Sequence, residues 1–429
     1  VTTLLEGWLE EVQARGVKLG LERVRSALAL LGHPQRTFPS ILVGGTNGKG
    51  SVVTFASALL RGAGHTVGAT TSPHLIDYRE RFRIDGRIPE PEALEEVAAH
   101  AHAALVGHPG MDELTFFELG VLLATSMFAR AEVDVGVIEV GMGGELDATR
   151  AAEPVVGAIV TVDLDHEQYL GDTIAKITRT KAKIAPPGGV LVTAEVRPDR
   201  LEILREEATA AGSELRVGGV DFEWSYAAGA LDYRGPVWTL DQVPVGMPGA
   251  HQGHNAACAL AAVEALCDRT GLRAPDPWQI ATALREAKIP GRMERLRVPG
   301  APAFLCDGAH NAAGAVALAT MLEDRRRPPR RVWLVASMQD KQRRGMIEAI
   351  LPHVDEVVCT AGESSPRFED PDRLVEEFVG LGATARAISP ARVAVEELSR
   401  TLGMRDEVLV AGSLYLIGDV RKALGFPVT

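Results

Sequence analysis

The chain has 429 residues, 46% hydrophobic, 24% charged and 5% aromatic, with a formal net charge of −12. This composition suits a globular protein with two or three cores, and the acidic balance argues against a nucleic-acid surface. No window approaches the roughly 18 uninterrupted apolar residues of a membrane span, and the four cysteines (Cys258, Cys267, Cys306, Cys359) form no C-x-x-C pair, which fits buried thiols in a reducing cytoplasm.

From the N-terminus, "VTTLLEGWLEEVQARG" reads as an amphipathic helix and has no resemblance to a signal peptide. "SILVGG" (40–45) is a strand ending in glycines, and "SVVTFASALLRGAG" (51–64) is a helix stopped by Gly62 and Gly64. "VDVGVIEVG" (133–141) and "VVGAIVTVD" (155–163) are continuous apolar runs, as in strands covered on both faces. Residues 221–240 alternate and read as an antiparallel hairpin region; 253–271 is an alanine-rich helix. Pro290, Gly291, Pro299, Gly300 and Pro302 break the pattern near 288–302. "RRRPPRR" (325–331), the one dense basic run, reads as a solvated helix-to-strand turn. Strand–helix alternation then resumes with "AFLCDG", "RVWLVAS", "EVVCTAG" and "EVLVAGS". The expected fold is α/β: an N-terminal P-loop ATPase-like domain (1–290) with a mainly parallel sheet, a linker (291–299), and a smaller Rossmann-like C-terminal domain (300–429) of about four or five strands.

The stretch "VGGTNGKGSV" (43–52) departs from the usual phosphate-loop spacing, because Gly50 separates Lys49 from Ser51. The physical requirements are nonetheless met. Glycines let backbone N–H groups approach phosphate oxygens, a lysine reaches the outer phosphates, and a helix N-terminus adds partial positive charge. Thr46, Asn47, Gly48, Lys49, Gly50 and Ser51 are therefore the expected nucleotide contacts.

"GTNGK" resembles the Mur ligase superfamily, and "GTNGKGS" resembles its folylpolyglutamate synthase/dihydrofolate synthase branch. The resemblance continues in order along the chain: "GLERVRSALALLGHP" (20–34), "TSPHL" (71–75), "ERFRIDGRIP" (80–89), "LTFFE" (114–118), "IEVGMGGELDAT" (138–149), "DHEQYLGDTIAKI" (165–177), "GAHQGHNAA" (249–257), "PGRME" (290–294), "DGAHN" (307–311) and "GSLYLIGDVR" (412–421). It implies an ATP-binding Mur ligase-type domain with a pterin site, followed by a ligase domain. In such enzymes ATP activates a carboxylate as an acyl phosphate, and an amine then attacks it.

The resemblance also implies site residues. Loop mechanics alone would choose Ser51 as a Mg²⁺ ligand, whereas the family pattern places the metal on Ser72, Glu139 and His166. Outside a metal site Glu139 would be a cap or ion-pair partner, and His166 a structural histidine. Lys181, in "TRTKAKI", matches a lysine that relatives carry as a carbamate, an anionic ligand for a second Mg²⁺; otherwise it is an exposed helix lysine. Relatives typically read E-K-A-G-I there, so Thr180 and Lys183 depart from the pattern, as do Glu145 and Arg150 where the family favours arginine and asparagine. Thr115, Phe116, Phe117, Glu118, Leu146, Asp147 and Ala148 match pterin-contacting positions. Phe117 offers a face for a flat ring, or is a core phenylalanine on a helix. The segment 72–88, with Arg79, Arg81, Arg83 and Arg87, matches a mobile loop around the substrate. Asn255, Arg292, Asp307 and His310 match nucleotide contacts, and the second domain is expected to complete the site on closure.

The expected activity is ligation of L-glutamate to dihydropteroate, to folates, or to both. The catalytic residues would be Lys49, Lys181 and Arg292, with ATP and Mg²⁺ required. Partners are expected to be small molecules, with no nucleic acid or membrane, on a cytoplasmic monomer. A monofunctional relative, another Mur-type amide ligase, and a nucleotide-dependent binding protein without catalysis are the rivals.

Overall fold

Runs of four or five apolar residues are too short for stable helices, and where both faces are covered they stay buried along their whole length. That is how "SILVG", "VGVIE" and "VGAI" behave: every residue of these three strands is buried. The computed structural model describes residues 2–16, 18–339 and 341–428. It divides into two units, one of Val1–Ser72 with Arg81–Ala287, the other of Pro73–Glu80 with Lys288–Thr429.

In the first unit, β1 (Ser40–Gly44), β2 (Val67–Thr70), β3 (Phe82–Ile84), β4 (Val135–Glu139), β5 (Val156–Ile159), β6 (Val190–Thr193) and β7 (Glu214–Val217) form one sheet. Its order is β3-β2-β4-β1-β5-β6-β7. All pairings are parallel except β2 with β3. The chain leaves β1 toward β2 on one side, and after β4 it crosses to β5 on the other. The order therefore reverses at β1, and in such sheets ligands bind beyond the strand C-termini at that point. Register places Val43 of β1 opposite both Glu139 of β4 and Ala158 of β5, so the loops that follow emerge together at one edge.

The helix Lys49–Gly62 follows β1 and packs against the long helix Ala250–Thr270. The long helix is rich in alanine, which permits close approach. The alternating region forms a separate antiparallel sheet of β8 (Glu223–Ala227), β9 (Ala230–Arg234) and β10 (Thr239–Pro244). It is tied to the long helix by Tyr233, whose hydroxyl donates to buried Glu264 at 2.7 Å.

In the second unit, β11 (Glu294–Leu296), β12 (Ala303–Cys306), β13 (Arg331–Val335), β14 (Glu356–Cys359), β15 (Ala385–Ala387) and β16 (Glu407–Ala411) form a sheet in the order β11-β12-β16-β13-β14-β15. Only β11 runs antiparallel, to β12. Residues 291–299, expected as a linker, thus supply an edge strand: Pro and Gly cluster around it, but Glu294, Arg295 and Leu296 pair with Cys306, Leu305 and Phe304. Apolar side chains fill both faces, with Phe304, Val332 and Leu416 in one cluster and Leu305, Trp333 and Phe378 in the other.

Residues 73–80 are built into this second unit although they lie far away in sequence. Leu75 enters its core, and Glu80 accepts backbone N–H bonds from Leu75, Ile76 and Asp77 at 2.8, 3.1 and 3.2 Å. Gly418 is required on the helix Leu414–Ala423, because a Cβ there would lie 1.9 Å from the Leu75 carbonyl oxygen.

The basic run 325–331 is not merely a solvated turn. Arg331 is buried and donates to Glu407 at 2.9 Å, and Arg327 donates to Asp355 at 2.7 Å. Cys258, Cys306 and Cys359 are buried free thiols. Among the described residues no helix is long and apolar enough to cross a membrane.

Candidate active site

The expected phosphate loop is a tight turn between β1 and the helix, which starts at Lys49, two residues earlier than the sequence suggests. Gly48 makes the turn: its φ is 85°, and a Cβ there would lie 2.4 Å from Asn255 Oδ1. Glycine alone satisfies both conditions. Asn255 is therefore seated directly against the loop, held by a 3.0 Å bond from its Nδ2 to Gln252. Thr46 anchors the other side. Its N–H donates to the Thr161 carbonyl at 2.7 Å, and its hydroxyl bonds to the backbone of Asp163. Ser51 lies buried in the first helical turn.

Two lysines converge on this turn. Lys49 Nζ donates to the carbonyls of Gly45 and Thr46 at 3.2 and 3.1 Å. Lys181 Nζ, from the last turn of the helix Ile174–Ala182, donates to the same Gly45 carbonyl at 2.8 Å. Lys181 is only 3% exposed, which removes the surface-helix alternative. Burial pushes its pKa down to about 7, and the neighbouring charge of Lys49 adds to this; Asp165 and Asp147 oppose it.

Glu139 ends β4 with its carboxylate toward the helix start. Its Oε2 accepts the Ser72 N–H at 2.9 Å and would lie 3.6 Å from a Cβ on Gly50. Ser72, Glu139 and Phe117 line one recess, together with Thr70, Arg81 and Thr149. The structure therefore brings two of the expected metal residues to a residue of the expected pterin wall. His166, after β5, is half-buried at φ 53°, with Nε2 3.7 Å from Asp165. Among the described residues, no three His, Cys, Asp or Glu side chains converge as a protein-only metal site.

The pterin-matching residues fall on two elements. Thr115 caps the helix Phe116–Arg130 in a reciprocal box with Glu118, at 2.8 and 3.3 Å. Buried Glu118 is also paired with Arg23 at 3.0 Å, a partner that sequence reading missed. Arg81 stacks over the Phe116 ring, 5.2 Å from its centre. Phe117 presses onto Gly141, where a Cβ would lie 2.4 Å from the ring. Asp147 is buried and caps the short turn of helix at 148–152, accepting N–H bonds from Met142 and Thr149 at 2.8 and 3.0 Å. Burial raises its pKa, and the bond from the Thr149 hydroxyl opposes the rise. Leu146 is exposed and Ala148 buried.

The departures noted at Glu145 and Lys183 compensate each other. Lys183 Nζ donates to Glu145 Oε1 at 2.6 Å, Glu145 N–H donates to the Thr180 carbonyl at 3.1 Å, and Arg150 donates to the Glu145 carbonyl at 3.2 Å. The loop before Asp147 is thus fastened to the end of the helix that carries Lys181.

In the second unit, Asp307 follows β12 and accepts N–H bonds from Met293 and Ala309, both at 3.0 Å. Burial raises its pKa, and Arg292 opposes the rise. Arg292 Nη1 lies against Gly308, and His310 Nδ1 is 2.9 Å from the Gly308 carbonyl. These three residues form one cluster.

Known proteins resemble this chain in sequence and fold. The Mur ligase middle domain matches residues 43–263, and the Mur ligase glutamate ligase domain matches residues 291–414. A Haloferax volcanii protein named probable bifunctional folylpolyglutamate synthase/dihydropteroate synthase is 39% identical over 94% of this chain. The match covers 48% of that protein, so the chain spans about half its length. The dihydrofolate synthase/folylpolyglutamate synthase of Mycobacterium tuberculosis is 35% identical, over 92% of this chain and 82% of its own. A crystal structure of a bifunctional folylpolyglutamate synthase/dihydrofolate synthase with Mn, AMPPNP and L-glutamate bound has a TM-score of 0.86. It is 30% identical and covers 99% of both chains.

Proposed function

Because the chain belongs to the Mur ligase family, in its dihydrofolate synthase/folylpolyglutamate synthase branch, we propose that it joins L-glutamate to dihydropteroate and to folates at the expense of ATP. One observation carries this reading: two lysines from different helices converge on the Gly45 carbonyl of the phosphate loop. Such an array is costly unless polyanionic ligands complete it.

In the proposed reaction, Lys49 and the loop N–H groups hold the triphosphate, and Asn255 braces the loop. A substrate carboxylate oxygen attacks the γ-phosphorus, the bond to the β-phosphate oxygen breaks, and ADP is left. Lys49 and Arg292 offset charge on the transferring group. The glutamate amine then attacks the acyl carbon, phosphate departs, and the amine loses a proton as the amide forms. The pterin is proposed to lie beside Phe117, which lines the recess; Thr115, Phe116, Glu118, Leu146, Asp147 and Ala148, on the same helix start and on the turn at 146–148, are proposed as further contacts although they do not line it. Asp307 and His310 are proposed nucleotide contacts from the C-terminal unit, which we take as the ligase domain.

The donor set suits a hard divalent cation. Glu139 sets a nearly buried negative charge beside a loop meant for phosphate, which is repulsive unless a cation lies between. Ser72, Glu139 and His166 would hold that ion. Bound Mg²⁺ would supply charge compensation on the phosphate oxygens. Lys181, largely able to shed its proton near neutral pH, is suited to accept CO₂ and become a carbamate ligand for a second ion.

The test supplies ATP, Mg²⁺ and glutamate with either dihydropteroate or a reduced folate, and identifies products by mass. Glutamylated product from each acid is expected; failure with both, by folded protein, removes the substrate class. Rigorous removal of CO₂ should lower the rate, and bicarbonate should restore it. Indifference to CO₂ would reject the carbamate.

A further inference from the structure

The loop after β5 carries His166 and also abuts the phosphate loop, so its backbone must be held accurately for either role. One side of that grip is already described: Thr46 bonds to Thr161 and to both backbone groups of Asp163. The other side comes from residues after β6 that no motif marks. Arg197 spreads its guanidinium over three partners. Nη1 donates to Asp163 Oδ1 at 2.7 Å, Nη2 to the Val162 carbonyl at 2.8 Å, and Nε to Glu195 Oε1 at 2.7 Å. Glu195, 2% exposed, in turn accepts the Val162 N–H at 3.1 Å, and Arg200 adds a 3.0 Å bond to the Val162 carbonyl. Asp163 is the joint: its main chain grips Thr46, and its side chain is gripped by Arg197. Thr46 then passes the constraint on, since its carbonyl accepts from Lys49 Nζ at 3.1 Å.

We propose that Arg197 is a positioning residue for the reaction, fixing through Asp163 both the His166 loop and the Thr46–Lys49 turn. The proposal rests on the ATP-and-metal reading above. A planar fork with three fixed bonds determines position in a way a lysine cannot. Residues that orient ligating loops from behind commonly matter as much to ion binding as to rate.

The test is Arg197→Met, which keeps the apolar stem and loses the fork. Calorimetric titration with AMPPNP and Mg²⁺, and Mn²⁺ binding followed by electron paramagnetic resonance, should both weaken by about 10-fold. Dihydropteroate affinity should stay within about 2-fold, because the Thr115 and Asp147 elements are not in this network. Arg197→Lys should fall between, and Asp163→Ala, which spares the backbone bonds to Thr46, should repeat the effect more weakly if Arg197→Met does not fold. Unchanged AMPPNP and Mn²⁺ binding would overturn the proposal, as would equal weakening of all three ligands, which marks a general structural role. A wild-type chain that binds no AMPPNP would instead overturn the ligase reading itself.

Discussion

Lys181→Met should make the ligand-free protein more stable while abolishing its activity. The side chain is 3% exposed, and burial takes its pKa from 10.5 to about 7. At 1.36 kcal/mol per unit, holding the ammonium there costs about 5 kcal/mol, less what the Gly45 bond and methionine packing change. The sign follows from proton counting. A lysine whose pKa is lowered by folding binds more protons unfolded, so the penalty is complete below about pH 7 and fades as pH rises toward 10.5. Measured by urea unfolding in CO₂-free buffer, the advantage of the methionine variant should be largest near pH 6. It should shrink by about 3 kcal/mol near pH 9.5. Tryptophan fluorescence suits the measurement, since four of the five tryptophans (Trp8, Trp224, Trp238, Trp278) lie in the first unit. A stability gap independent of pH would show that the ammonium is not desolvated, and the argument for an easily carbamylated amine would fail with it.

Lys49→Ala should reduce ATP turnover by at least about 100-fold with the unfolding midpoint nearly unchanged; near-normal turnover would refute its place on the phosphates. Arg331→Met removes the 2.9 Å partner of buried Glu407 and leaves it the longer 3.4 Å contact with Arg325, so it should cost about 3 kcal/mol, read as loss of the near-ultraviolet signal of Trp333 at lower denaturant. A loss below about 1 kcal/mol would mean that the pair is hydrated.

The sheet architecture was legible because it is written locally: apolar runs of strand length, separated by helical periodicity, admit few arrangements. The glycine turn between β1 and the helix was legible for the same reason, since glycine, lysine and hydroxyl lie within one turn. What escaped is non-local. The burial of Lys181 cannot be read from "TRTKAKI", because it depends on Gly45, 136 residues away in sequence. Arg331 looked like part of a solvated run until Glu407, 76 residues on, claimed it. The strand at 294–296 was hidden by flanking Pro and Gly, which mark its ends and not its interior. No local pattern announced that 73–80 belongs to the second unit: Leu75 and Ile76 are a short apolar pair in a mixed loop, and their place shows only in the core they join and in Gly418, which keeps space for the Leu75 carbonyl. The exchange of Glu145 with Lys183 was visible as two departures, but only the 2.6 Å contact shows that they are one change.

The arrangement around Gly45 explains why such distant residues should be tied together. A site that moves a phosphoryl group must have its charges in place before the substrate arrives, because reorganising them during reaction raises the barrier. Without ligands, that requires charged groups to be held close together, and backbone groups help to hold each of them. Lys49 and Lys181 rest on backbone carbonyls, and Glu139 rests on the Ser72 N–H. Lys49 and Glu139 are the groups that a triphosphate and a cation would engage in the proposed reaction, so binding exchanges backbone partners for charged ones with little movement. The cost is carried by the scaffold behind: Asn255 against Gly48, Asp163 on Thr46, and Arg197 on Asp163. Loosening that scaffold should weaken nucleotide and ion binding together, since both depend on the same fixed turn.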